Sequence, residues 1–197
     1  RAYRHIVRGI RKKSGQAVQK SRATIYRDHG ALVQPYDAKL SYNGKGWMTV
    51  PVEVGHNEIG DAENPDMFCP REMADLFVKL GFPEPGPIPL MRLEHQIAQK
   101  LHAVSAPGSE RAHDLVDLQI IVNNSNLDYS LLKATCVKLF EYRQAQAWPP
   151  AVVAGAGWAS LYDAAKVGVS VCGGVDEAVD WVNGLIENID LAAGDQG

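Results

Sequence analysis

The sequence predicts an α+β protein in which short strands come first and helices follow. Segments rich in β-branched and aromatic residues lie within residues 24–54, whereas apolar patterns of helical spacing dominate after residue 90. A run with four prolines, residues 82–89, lies between the two regions and interrupts regular structure. Because strands and helices are segregated along the chain, we expect a sheet within residues 1–90 and a helical lobe within residues 91–197.

The composition excludes several classes of protein. Of the 197 residues, 46% are hydrophobic and 22% are charged, which is typical of a folded, water-soluble chain. Three widely spaced cysteines without a Cys-x-x-Cys pair indicate neither a disulfide framework nor a cysteine zinc site. No apolar run approaches the roughly 20 residues of a membrane span, and the basic N-terminus is not followed by an apolar leader segment. We therefore expect a cytoplasmic protein with no membrane partner.

Strand predictions begin after residue 23. Residues 24–26, 38–42 and 47–54 are rich in β-branched or aromatic side chains, and the Asn-Gly-Lys-Gly link at 43–46 is a hairpin signal. In the last of these strands the even-numbered positions are apolar, which predicts a core-facing side. Glu53 then lies on the opposite face near the end of the strand. It is either an ordinary outward carboxylate or a functional acid.

Six helices are predicted after residue 69. The first, around residues 70–80, has Met73, Leu76, Phe77 and Leu80 at helical spacing, and Gly81 is placed to end it. The Trp-Pro-Pro and Cys-Gly-Gly segments that begin at Trp148 and Cys172 interrupt the later helices. Those later helices are predicted at residues 92–104, 109–123, 129–143, 158–167 and 175–189.

The charge is distributed very unevenly. Residues 1–30 hold nine cations and one anion, a balance of +8, and the remaining residues carry −11. A basic arm on an acidic body can attract a polyphosphate partner such as RNA through steering and counterion release. A solvated basic segment that contacts nothing is the alternative. The candidate RNA-binding residues are Arg4, Arg8, Arg11, Lys12 and Lys13.

Two successive helices place charged residues beside apolar ones. Lys100 falls at the edge of an apolar arc, so its stem should lie on the core while its ammonium emerges at a groove. In the next helix, Arg111, Asp114 and Asp117 recur at helical spacing and put Asp114 between apolar neighbours. A carboxylate in such a place needs a partner, and Arg111 is three residues away. A structural ion-pair network and a functional site both remain open on this pattern.

The same two helices resemble a known family. Residues 93–103 read Leu-Glu-His-Gln-Ile-Ala-Gln-Lys-Leu-His-Ala, and residues 111–118 read Arg-Ala-His-Asp-Leu-Val-Asp-Leu. This resembles the AbiEii/AbiGii nucleotidyltransferase toxins, in which a lysine helix precedes an Arg-x-Lys-Asp-x-x-Asp helix. The strand at 50–54, the Trp-Pro-Pro break and the closing helix extend the similarity to about residues 20–190.

The resemblance implies part of a DNA polymerase β-like nucleotidyltransferase fold, with a mixed sheet followed by a helical C-terminal lobe. The implied activity is that of a toxin of a bacterial type IV toxin–antitoxin system. Such a toxin transfers NMP from an NTP to an RNA acceptor, and relatives of the MenT group modify the 3′ end of tRNA. The implied cofactors are Mg²⁺ and NTP, and the expected partners are tRNA and a cognate antitoxin, not DNA.

Family position also implies roles for individual residues. Lys100 would contact the NTP phosphates, and Asp114 would be the active-site carboxylate of the helical lobe. Arg111 and Asp117 would orient these two groups, and Glu53 is the candidate for an acid on the sheet. The chemistry suits them, because phosphoryl transfer needs mainly positioned charges.

The sequence also departs from the family pattern. Relatives begin with a Gly-Ser turn and an Asp-x-Asp strand that supplies the principal metal ligands, whereas the first thirty residues here contain Asp28 as their single acid. Consequently, no metal ligands can be assigned. His113 occupies the position of the family's second basic residue. Since the chain opens at Arg1, we expect a fragment that starts downstream of the first motif. The alternative is a non-catalytic or truncated relative that binds RNA or the antitoxin.

Overall fold

A computed structural model of the protein describes residues 17–20, 26–28, 31–42 and 45–192. The chain divides into two compact units, Arg1–His56 and Asn57–Gly197, and each is described by itself. The candidate RNA-binding residues Arg4, Arg8, Arg11, Lys12 and Lys13 lie outside the described residues. The assignment of separate roles to residues 1–90 and 91–197 stays a prediction.

The first unit contains an antiparallel sheet built around one long strand. Strand β3 (Ala31–Tyr42) pairs with β1 (Ala17–Lys20), with β2 (Tyr26–Asp28) and with β4 (Lys45–Gly55). Strands β3 and β4 run side by side from Val33 opposite Gly55 to Tyr42 opposite Lys45. The predicted hairpin is therefore confirmed, with residues 43 and 44 between its paired ends.

The alternation predicted for β4 is also present. Its valines at positions 50, 52 and 54 are half-buried, whereas Pro51 and Glu53 between them are exposed. The apolar side is less buried than a core face, and Met48 is 48% exposed. The sequence thus predicts the alternation of β4 correctly and overestimates the burial of its apolar side.

The second unit contains all six predicted helices. Among the helices, the largest difference concerns α3, which the sequence predicts from residue 109 and which begins at His113. Gly108, with a φ of 70°, and a bond from the backbone N–H of Arg111 to the Ser109 hydroxyl hold residues 108–111 in a turn instead. The elements are β5 (Asp66–Phe68), α1 (Arg71–Lys79), β6 (Ile88–Leu90), α2 (Leu93–Val104), α3 (His113–Asn123), α4 (Tyr129–Arg143), α5 (Trp158–Ala165) and α6 (Val175–Leu191). The α+β class is as predicted.

Helices α2 to α6 enclose one hydrophobic core. Helix α2 packs on α3 and α4, α3 packs on α5 and α6, and α4 packs on α6. Each helix contributes at least one apolar side chain that is almost completely buried. Burial of a side chain of this size stabilises the fold by about 1.5–3 kcal/mol. Examples from the five helices are Leu101, Leu118, Leu139, Tyr162 and Ile186.

The loop after His56 is fixed to this helical core by polar contacts. Arg143 donates to Glu58 at 2.7 Å, and both side chains are less than one-tenth exposed. Gln99 Nε2 donates to Asp61 Oδ2 at 2.9 Å, and Lys138 Nζ donates to the Ile59 carbonyl at 3.2 Å. Because buried charges need partners, the Glu58–Arg143 pair ties this loop to α4.

The segment from β5 to β6 differs most from expectation. These two strands pair antiparallel, with Asp66 opposite Leu90, although the sequence predicts no strand there. The apolar residues of α1 lie on one side of the helix as predicted, yet Met73 and Leu76 are about half exposed. None of the described helices combines the length and apolar character that a membrane span needs.

Candidate functional site

Two cations and two carboxylates meet where α2 faces the start of α3. Lys100 comes from the third turn of α2, and Arg111 comes from the loop before α3. Asp114 and Asp117 lie one turn apart on α3, so both project towards α2. The structure therefore brings together the four helical-lobe residues that the sequence singled out.

Asp114 is the centre of this cluster. Its side chain is fully buried, and each carboxylate oxygen accepts a bond from a different cation. Lys100 Nζ lies 2.8 Å from Oδ1, and Arg111 Nε lies 2.8 Å from Oδ2. Asp114 also occupies the first turn of α3, where the helix dipole favours a negative charge. Asp114 thus holds the two cations beside each other.

Lys100 makes a second, shorter contact to Asp117. The Nζ–Oδ2 distance is 2.6 Å, and the exposed fractions are 23% for the Lys100 side chain and 46% for that of Asp117. Burial alone would lower the pKa of Lys100, but the hydrogen bonds and charges of Asp114 and Asp117 raise it above its ordinary value. The ammonium form of Lys100 is therefore favoured at neutral pH.

The loop between α2 and α3 determines where Arg111 stands. The Ser109 hydroxyl donates to the Ala103 carbonyl at 2.8 Å and accepts from the Arg111 backbone N–H at 3.1 Å. Trp158 Nε1 donates to the Ser109 carbonyl at 2.7 Å. A Cβ at Gly155 would lie 2.7 Å from that indole nitrogen, so only glycine fits there. Helix α5 thereby fixes the backbone that presents Arg111.

The sequence also singled out Glu53 and His113. Glu53 belongs to β4 in the first unit and is exposed. His113, at the position where the resemblance expects a second basic residue, has Nε2 3.8 Å from Asp114 Oδ1 and is about half exposed. Sequence reasoning missed Ser109, Trp158 and Gly155, whose roles depend on contacts between distant segments. The Gly-Ser pair at 108–109 is the one local signal of a turn there.

The donor atoms of this cluster do not fit a Mg²⁺ site. Both Asp114 oxygens already accept from cations, and the positive charges of Lys100 and Arg111 lie beside them. Among the residues that the structure describes, no three His, Cys, Asp or Glu side chains are grouped so that they could hold a metal ion. We therefore assign no metal ligands to this cluster.

Comparison with protein families decides the affiliation. The family model for the nucleotidyl transferase AbiEii toxin of type IV toxin–antitoxin systems matches residues 4–180. The chain belongs to the AbiEii family. No curated protein matches it. The resemblance drawn from the Lys100 and Asp114 helices is thus confirmed.

Membership defines the general chemistry of the AbiEii chain. The family consists of nucleotidyltransferase toxins, which generally use an NTP and a divalent metal, and it implies an antitoxin partner. In this AbiEii chain, Lys100 and Arg111 form a cation pair held on one buried carboxylate. A flexible point charge beside a planar guanidinium is an arrangement that suits phosphate oxygens.

Proposed function

We propose that this protein transfers NMP from an NTP to an RNA acceptor, the 3′ end of tRNA, in the cytoplasm. The observation that carries the proposal is the juxtaposition of Lys100 and Arg111 on the buried Asp114, in a chain of the AbiEii family. Lys100 contacts the NTP phosphates, and Asp114 is the active-site carboxylate that holds Lys100. Arg111 and Asp117 orient Lys100 and Asp114. Glu53 stays the candidate for an acid on the sheet.

The reaction is a displacement at the α-phosphorus. The 3′-hydroxyl oxygen of the RNA forms a bond to that phosphorus, the bond to the β-phosphate oxygen breaks, and pyrophosphate leaves with the electron pair. The hydroxyl proton passes to solvent or a base. Because negative charge grows on the pyrophosphate, fixed cations near it stabilise the transition state. The proposed cofactor is Mg²⁺, since the family generally uses a divalent metal.

A transfer assay tests the proposal. The full chain is incubated with labelled NTPs, Mg²⁺ and total tRNA, with and without a chelator. We expect label at tRNA 3′ ends that is lost in Lys100→Ala and Asp114→Ala. Lys166→Ala is the matched control, since Lys166 also pairs with an aspartate, Asp163, on α5. Label in neither the wild type nor the control would refute the transferase proposal.

The second candidate is a non-catalytic relative that binds RNA or its cognate antitoxin. The sequence favours it at one point, since the first thirty residues hold a single acid, Asp28, and no Asp-x-Asp. It predicts that the protein retains tRNA while transferring no label. Retention and transfer are measured in the same samples, so the two candidates give different results.

The basic arm is the proposed RNA contact in both cases. Residues 1–30 carry a net charge of +8. Replacing Arg4, Arg8, Arg11, Lys12 and Lys13 with alanine should weaken tRNA binding and reduce the slope of log affinity against log salt concentration. An unchanged slope would show that these five cations do not contact phosphates.

A further inference from the structure

The contact between Lys100 and Asp117 carries an inference that rests on the proposed function and deepens it. We infer that the Asp117 carboxylate occupies the phosphate position on Lys100 and is displaced when a polyphosphate binds. Asp117 is then a built-in competitor of the ligand, and its removal strengthens binding. Asp117 thus orients Lys100 in the ligand-free protein, as proposed above, and gives up this contact when the ligand binds.

The two carboxylates on Lys100 differ in how firmly they are held. Asp114 is fully buried between Lys100 and Arg111. If its carboxylate moved away, it and both cations would lose their ion pairs, which is unfavourable for charges that are buried or partly buried. Asp117 is 46% exposed, and its carboxylate can turn into water. Exposed ion pairs contribute little to stability because water and salt compete for both partners. An incoming anion therefore replaces Asp117 and leaves Asp114 in place.

The charge of the cluster changes when this exchange occurs. Lys100 and Arg111 balance Asp114 and Asp117, so the four groups sum to zero. When Asp117 swings away, a positive excess faces the ligand. Arg111 engages Asp114 through Nε, and within residues 45–192 its terminal nitrogens have no other acidic partner. Those nitrogens and Lys100 Nζ can then bind neighbouring phosphate oxygens.

The same exchange selects for highly charged ligands. A ligand with a single negative charge gains no more from Lys100 than the Asp117 carboxylate already provides. A triphosphate carries several negative charges and contacts Arg111 as well as Lys100. Its interaction energy with the two cations can therefore exceed that of the Asp117 carboxylate with Lys100. Asp117 thus lowers the affinity of the site for singly charged anions more than its affinity for polyphosphates.

The test measures the binding of inorganic triphosphate to the full chain by calorimetry, without divalent metal. Asp117→Asn keeps the shape of the side chain and removes its charge. We expect its Kd to fall by about twofold to fivefold, the range that corresponds to the loss of a competing, partly exposed ion pair. Asp163→Asn is the matched control, because Asp163 lies 2.7 Å from Lys166 in another exposed pair. It should bind like the wild type.

Further variants separate competition from a structural role. Asp117→Ser should also tighten binding, whereas Asp114→Asn should weaken it about tenfold, because the cations lose their common anchor. An unchanged or higher Kd in both Asp117 variants would overturn the inference. Equal tightening in Asp163→Asn, or no binding by any form, would also overturn it.

The result is independent of the transferase assay. If Asp117→Asn binds triphosphate more tightly but no label reaches tRNA, the competitor role stands and the proposed reaction fails. If label reaches tRNA but Asp117→Asn binds no more tightly, the reaction stands and the competitor role fails.

Discussion

Replacement of Asp114 by asparagine tests the centre of the cluster most directly. The carboxamide has nearly the same shape as the carboxylate, so the change removes the negative charge that Lys100 and Arg111 share without removing either cation. Asp114 accepts two charge-assisted bonds, each at 2.8 Å, and is fully buried. Such bonds contribute about 1.5–3 kcal/mol each, and breaking a buried pair costs about 3–5 kcal/mol. The side chains of Lys100 and Arg111 are 23% and 33% exposed and regain some hydration, so we expect the lower end of this range, a loss of about 3 kcal/mol in the free energy of unfolding.

The assay is urea unfolding followed by tryptophan fluorescence. Three of the four tryptophans, at positions 148, 158 and 181, belong to Asn57–Gly197, so the signal reports mainly on that unit. A shifted midpoint with an unchanged slope gives the loss in the free energy of unfolding. Asp117→Asn is the comparison, with an expected loss below about 1 kcal/mol because this side chain is half exposed. If Asp114→Asn costs no more than Asp117→Asn, Asp114 is not the anchor of the cation pair.

Three further predictions concern other parts of the second unit. Burial raises the pKa of Cys136 to about 12, so a thiol reagent at pH 8 should label Cys136 only after denaturation. Peptide mapping distinguishes it from the partly exposed Cys69 and Cys172, and rapid labelling of Cys136 itself in the native protein would contradict its burial. The folded-state pKa of Lys100 is raised, so its contribution to stability is complete below its ordinary pKa and is lost as pH rises through the folded-state value. Unfolding midpoints of the wild type should therefore fall more steeply above about pH 10 than those of Lys100→Met, and parallel curves would exclude this contribution. Arg143→Met leaves Glu58 buried without its partner and should cost about 3–5 kcal/mol in urea unfolding, while Arg143→Met with Glu58→Leu should recover most of that loss.

The sequence predicts the helical part of the fold well because its signal is local. A helix repeats its apolar positions every three or four residues, so α2 and α4 to α6 are found within a few residues of their observed ends. The turn of the β3–β4 hairpin is found for the same reason, since Asn-Gly lies between two alternating segments, but the sequence predicts only residues 38–42 of β3. The β5–β6 pair is missed because each strand has three residues and their pairing spans a proline-rich segment.

The site is predictable in its residues but not in its contacts. The helical spacing and the family resemblance together identify Lys100, Arg111, Asp114 and Asp117. Neither indicates that each Asp114 oxygen accepts a hydrogen bond from a different cation. Neither indicates that Lys100 Nζ lies closer to the Asp117 carboxylate than to that of Asp114. Those facts depend on how the loop at 105–112 turns and how α2 packs on α3. Such tertiary contacts produce no periodic pattern in a single sequence, so they cannot be predicted from it.

The close approach of Trp158 to Gly155 has a consequence for the whole cluster. Position 155 is on the surface, yet any side chain there would push the indole away from the Ser109 carbonyl. The displacement would pass along the backbone to Arg111 two residues later. The cation pair can therefore be disturbed from an exposed position that lies more than forty residues later in the chain, so the site depends on glycine at 155 as well as on its charged residues.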